Sequence, residues 1–149
     1  MSVSTYDPGK GVLSFAGYPI HGFADGTAIE AERTNDSFSM VSGADGEVAR
    51  SASRDRTGFV TVHLLQTSAS NDDLSRQLDL DEKFGTGVGP LQFKDLSGRT
   101  VFKASASWVR KPPALSNGKE VTERVWIIDC GDLDIQVRGN FQVGTPEAP

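Results

Sequence analysis

Thr57-Gly58-Phe59-Val60-Thr61-Val62-His63-Leu64-Leu65-Gln66 is the stretch on which the fold turns. Val60, Val62 and Leu64 alternate with Phe59, Thr61 and His63, the period of two expected of a strand with one buried sheet face. A second strand-like run, Thr27 to Arg33, precedes it. Between the two lies Thr34 to Arg56, a polar, Gly/Ser/Asp-rich segment of about twenty residues where paired strands usually need about two to five. Phe38, Met40, Val41 and Val48 punctuate that segment, and a purely solvated linker has no use for them. The segment therefore reads as a long extended arm that packs on something, either its own chain or a neighbouring copy.

Outward from this pair the chain keeps alternating. Gly11 to Ala16 reads as a short strand, Gly17-Tyr18-Pro19 as a turn into Ile20 to Phe23, and Asp25-Gly26 as the next turn. Leu91 to Lys94 and Arg99 to Arg110 flank a hairpin turn at Asp95-Leu96-Ser97-Gly98, with Phe102, Ala104, Ala106 and Trp108 expected on one face. Pro112-Pro113 ends that run and Asn117-Gly118 marks a loop. Val121 to Cys130 resumes, apolar on both sides at Val125, Trp126, Ile127 and Ile128, and so is expected to be buried on both. Gly131-Asp132 kinks the chain into a half-exposed strand, Leu133 to Val137.

One helix is expected, about Asn71 to Phe84, with Ser70 as N-cap, acidic residues in the first turn, and Gly85 as its end. Leu74, Leu78 and Phe84 form its apolar stripe. The whole is a single domain over residues 1–149, mainly β, with residues 1–9 and 144–149 expected to be flexible ends.

The chain has 149 residues and one cysteine, so no internal disulfide forms, and Cys130 reads as a small buried hydrophobe of a protein made for a reducing compartment. No Arg/Lys-headed apolar segment opens the chain and no run of eighteen apolar residues occurs, so neither signal peptide nor membrane insertion is expected. A net charge of -5 argues against a non-specific nucleic-acid binder, which needs a cationic surplus to displace counterions. Arg50, Arg54 and Arg56 are the one basic cluster, diluted by Ser51, Ser53 and Asp55, and read as a solvated or subunit-contacting loop.

Nothing in the chain is assembled for catalysis. His21 and His63 are far apart, without zinc-site spacing, and no Gly-x-Ser-x-Gly elbow occurs. Gly85-Thr86-Gly87-Val88-Gly89 lacks the lysine of a phosphate loop and follows a helix, so it reads as a helix exit. Asp129, Asp132 and Asp134 lack calcium-loop spacing, and Glu30 and Glu32 look like an ordinary exposed strand face. No cofactor, metal or catalytic residue is expected.

Several ordered blocks resemble a family of bacteriophage structural proteins: Gly22-Phe23-Ala24-Asp25-Gly26, Asn35-Asp36-Ser37-Phe38-Ser39, Gly43-Ala44-Asp45-Gly46-Glu47-Val48, Leu65-Gln66-Thr67-Ser68, Ser70-Asn71-Asp72 and Lys111-Pro112-Pro113 with Gly118-Lys119-Glu120. The family is similar to the tail tube proteins of contractile-tailed phages and prophages, and the likeness spans about Val12 to Val137. It implies a β-barrel or sandwich with one flanking helix, and six copies in a ring that stacks into a tube. It also implies partners in the tail sheath, baseplate, terminator and tape measure proteins, and a bore through which phage DNA passes unbound during ejection. Assembly would occur in the bacterial host cytoplasm, and the mature location would be the virion. On that basis Phe38, Met40, Val41, Val48, Arg50, Arg54 and Arg56 are candidates for inter-subunit contact, and Glu30, Glu32, Asp132 and Asp134 for the lumen. A tube from a related injection or secretion machine shares these features. A carbohydrate-binding β-sandwich would instead need Trp108 and Trp126 as a sugar platform.

Overall fold

The computed structural model describes residues 3–4, 11–96, 98–139 and 142–143. The other end residues expected to be flexible lie outside these, while Val3–Ser4 (β1) pairs with Gln142–Val143 (β12). Between them run β2 (Gly11–Phe15), β3 (Tyr18–Ile20), β4 (Ile29–Arg33), β5 (Phe38–Ser42), β6 (Val48–Ala52) and β7 (Gly58–Leu65). The helix α1 (Ser70–Phe84), β8 (Gly89–Asp95), β9 (Val101–Val109), β10 (Glu123–Cys130) and β11 (Leu133–Gln136) complete the order. The main sheet runs β3-β2-β8-β9-β10-β7-β4, with β11 also on β9, and β5-β6 stands apart as its own hairpin. The fold is mainly β with one helix, and the sheet stays open, ending at β3 and β4.

The β7 alternation is realised as read. Val60, Val62 and Leu64 are fully buried and pair with Ile128, Trp126 and Arg124 of β10 along eight registered positions. Leu74 and Leu78 of α1 join the same core, so the helix covers this sheet face. The opposite face of β10 is only half-buried at Val125 and Ile127, which corrects the expectation of burial on both sides. What covers that face near Phe59 is the Arg110 guanidinium, 5.5 Å from the ring centroid and clamped by Asp129 through contacts of 2.6 and 3.0 Å.

Other expectations shift by small steps with clear causes. The first hairpin turns at Ala16-Gly17, both at positive φ as a two-residue turn of the primed type requires, and Tyr18-Pro19 belong to edge strand β3. In β9, Phe102 and Ala104 face the core, but Ala106 and Trp108 do not; Ser107 and Val109 do. The register slips between Gly89 and Leu91 of β8, and the extra β9 residue of this bulge reverses the alternation beyond it. At that point Gly131 donates its N–H to the Ala106 carbonyl at 3.0 Å, and the partner of β9 changes from β10 to β11.

The helix begins one residue earlier than expected. Ala69 is the N-cap, and Ser70, inside the helix, accepts a 2.9 Å bond from the His21 N–H. Gly85 ends it in the left-handed conformation, as read. Gly87 then lies so close to the helix that a Cβ would sit 2.3 Å from the Gln77 carbonyl oxygen, so the glycine-rich stretch is a tight helix exit. Phe84 is 71% exposed, outside the stripe assigned to it. At roughly 100° per residue it points about 120° away from Leu78.

Two outcomes follow for the isolated protomer. Leu74→Ala should cost about 2–5 kcal/mol in urea unfolding, and Phe84→Ala less than about 0.5 kcal/mol; equal costs would contradict the assigned helix face. Burial, then the neighbouring Asp129 charge, pushes the Cys130 thiol up from 9.0 to about 12. The folded thiol thus keeps its proton where the unfolded one releases it, so stability should fall as pH rises from about 9 toward 12. Cys130→Ala should flatten that alkaline decline, and maleimide should label Cys130 only after unfolding.

Candidate functional site

The arm folds as a hairpin that the body of the protomer does not cover. β5 and β6 pair only with each other, from Phe38↔Ala52 to Ser42↔Val48, and all ten strand residues are exposed. The register decides its faces. Phe38, Met40 and Val48 emerge on one side together with Arg50, while Val41 emerges on the other with Ser39, Ala49 and Ser51. Arg50 lies over the Phe38 ring at 4.4 Å, and Met40 beside it is 75% exposed. The tip is the turn around Gly43-Ala44-Asp45-Gly46, where the Asp45 carboxylate accepts the Glu47 N–H. Three of the exposed apolar side chains of the hairpin, Phe38, Met40 and Val48, thus share one face.

The base of the hairpin, in contrast, is tied down. The Asp55 carboxylate accepts the Thr57 hydroxyl at 2.7 Å, the Thr57 N–H at 2.9 Å and the Asn35 amide, and these bonds hold its pKa below the usual carboxylate range. Arg33 donates from Nε to the Leu133 carbonyl, and the Leu133 N–H donates to the Arg56 carbonyl. Arg56 also approaches Asp132 at 3.7 Å. Arg56 and Asp132, read from the sequence as arm and lumen candidates respectively, therefore meet at the root of the arm. Arg54 is exposed between the root and β6.

Glu30 and Glu32 emerge from edge strand β4 opposite Thr61 and Phe59, on the sheet face away from the helix. Asp134 lies opposite Lys103 and shares a shallow hollow of about 330 Å³ with Asp132, Lys103, Gln92 and Pro90. Asp129, Asp132 and Asp134 do not form one cation site, because Arg110, Arg56 and Gln136 respectively engage them. Among the described residues no three His, Cys, Asp or Glu side chains stand close enough together to hold a metal. His63 sits 3.3 Å from Glu123, and His21 is exposed.

The sugar-platform alternative is overturned by geometry. Trp126 is buried on the core face with its indole N–H donated to Asn71 Oδ1 at 2.8 Å, whereas Trp108, opposite Asp129, lies on the other face. One residue escaped the sequence reading altogether: Arg124, 8% exposed beside Trp126. Its signal was there, since an arginine in phase with Trp126 and Ile128 falls on the buried side of a strand.

The sequence is 27% identical to "Structural protein ORF10" of Pseudomonas phage KPP10, an alignment that covers 97% of this chain and 88% of the relative. Two cryo-EM structures share the fold at 8% identity and a TM-score of 0.57. One is the tube-terminating cap of the anti-feeding prophage, with 90% of this chain and 92% of that chain covered. The other is the sheath/tube terminator of an extracellular contractile injection system in its extended state, with 91% and 99% covered. Residues 8–138 match the profile of the bacteriophage PhiTE tail tube protein, and the chain belongs to that family of structural, non-enzymatic phage tail proteins.

Proposed function

We propose that this protein builds the inner tube of a contractile phage tail as stacked rings of six copies, with the arm as the contact between rings. The observation that carries this reading is the exposed hairpin: a tied root, an apolar face and no cover from its own chain. The open edges of β3 and β4 support closure into rings, because each leaves a row of main-chain groups for a neighbour to pair. In the virion the tube would meet sheath, baseplate, terminator and tape measure proteins after assembly in the host cytoplasm, and would pass DNA during ejection. Phe38, Met40, Val41, Val48, Arg50, Arg54 and Arg56 would contribute to the contact, and Arg56 also approaches Asp132 at the root of the arm.

The net charge of -5 supports a bore that does not hold DNA. Glu30, Glu32, Asp132 and Asp134 would supply that lining. A second reading has its own support in the fold likeness to two tube terminators: a cap that adds once to a tube end. The two separate on stoichiometry, since a cap stops at one ring and a tube protein stacks without limit.

Three measurements check this proposal. Concentrated wild-type protein should form rings and tubes under negative stain, and a strictly monomeric species would overturn it. Met40→Asp should abolish stacking while shifting the unfolding free energy of the protomer by no more than about 0.5 kcal/mol, as expected of an exposed position. Assembled tubes should not retain DNA at physiological salt, and Glu30→Lys with Glu32→Lys should create a retention that weakens as salt rises.

A further inference from the structure

The proposed function leaves open where the arm docks. A cleft on the protomer has the chemistry to receive it. Gln66, Asn71, Ser75, Pro112, Pro113, Leu115, Arg124 and Trp126 enclose about 230 Å³ between the start of α1 and the loop after β9. That is smaller than the roughly 300–1,000 Å³ of small-molecule sites, and suits one or two inserted side chains. Its walls at Pro112, Pro113 and Leu115 are apolar, and Leu115 is 77% exposed.

Arg124 supplies the charge. The guanidinium donates from Nη1 to the Thr122 hydroxyl at 2.8 Å and to the Ser116 and Glu123 carbonyls at 3.4 Å. Its Nε and Nη2 donate to no described residue, and no described carboxylate pairs with it. A cation this buried is ordinarily matched by a carboxylate, and in a chain of net charge -5 the missing partner is conspicuous. The arm offers that partner. Glu47 sits at the hairpin tip with a carboxylate that bonds to no described residue, and by strand alternation it lies on the hairpin face of Val41 and Ala49.

Polarity then decides whose arm it is. The arm leaves the body where β7 begins, at Gly58, paired with Cys130. The cleft lies near the other end of the same two strands, where Arg124 pairs with Leu64, roughly 20 Å away at about 3.3 Å per residue. From this opposition, resting on the arm as the assembly element, we infer that the arm tip of one copy seats in the Arg124 cleft of the next. Glu47 meets the guanidinium there, and Val41, on the same hairpin face, lies against Pro112, Pro113 and Leu115. Such a contact is head-to-tail, so it propagates copy after copy instead of closing a pair.

Charge exchange in the full chain tests the assignment. Glu47→Arg and Arg124→Glu should each raise the concentration needed for tube formation about thirtyfold or more, as expected of a buried charge pair broken from one side, and the double exchange should restore it. Leu115→Asp, at an exposed position, should give the same loss without touching the fold. Separately, Glu47→Cys with Leu115→Cys in assembled tubes should give, on mild oxidation, a ladder of covalent multimers longer than dimers. Cys130 is buried and does not compete. Wild-type protein that never associates overturns both the tube reading and this one. Tubes that form normally with Glu47→Arg, or that give no ladder or only dimers, overturn this inference alone and leave the cleft to a different tail protein.

Discussion

The antiparallel pairing of Gly58–Leu65 with Glu123–Cys130 is the constraint on which the rest of this protein depends. It places Val60, Val62, Leu64, Trp126 and Ile128 on one face, where α1 closes over them, and it keeps that face dry. Because the register is unbroken over eight positions, the two ends of the pair are fixed relative to each other. The arm is rooted at one end and the Arg124 cleft opens near the other. In the proposed tube this pairing would hold two unlike surfaces at a set separation.

The arm has a bonded root and strands that the body does not cover. Its root is bonded through the Asp55 carboxylate, the Arg33–Leu133 bond and the Arg56–Asp132 approach. Beyond the root the strands bond only to each other. Full burial of a side chain such as Phe38 or Met40 returns only about 1.5–3 kcal/mol, and ordering each residue costs about 1–2 kcal/mol. One arm alone is therefore a weak binder. In the proposed rings, several arms engaged at once would convert weak contacts into a firm one through effective concentration.

Much of this was legible in the sequence because period-two alternation records a half-buried sheet directly, and the β7 residues and the single helix were found where the pattern put them. The over-long polar segment between two strands was an equally direct signal of an arm. What was not legible depended on partners distant in sequence. The β9 alternation reverses at a bulge set by β8 and by the change from β10 to β11, so Ala106 and Trp108 leave the core face without any local sign. Phe84 was misplaced because hydrophobicity was counted without its angle around the helix. Arg124 was overlooked because an apolar strand was read by its majority, although its single misfit residue marks the cleft.

The central claim is that the hairpin is an interface element whose structure is completed by another copy. Hydrogen exchange of the amides of residues 38–52, measured on the protomer and on the assembled tube, tests it most directly. The account predicts fast exchange of the outward-facing amides of β5 and β6 in the protomer and strong protection in the tube, while β7 and β10 stay protected in both. Equal protection of the hairpin in the two states would contradict it, because the arm would then owe its order to its own chain.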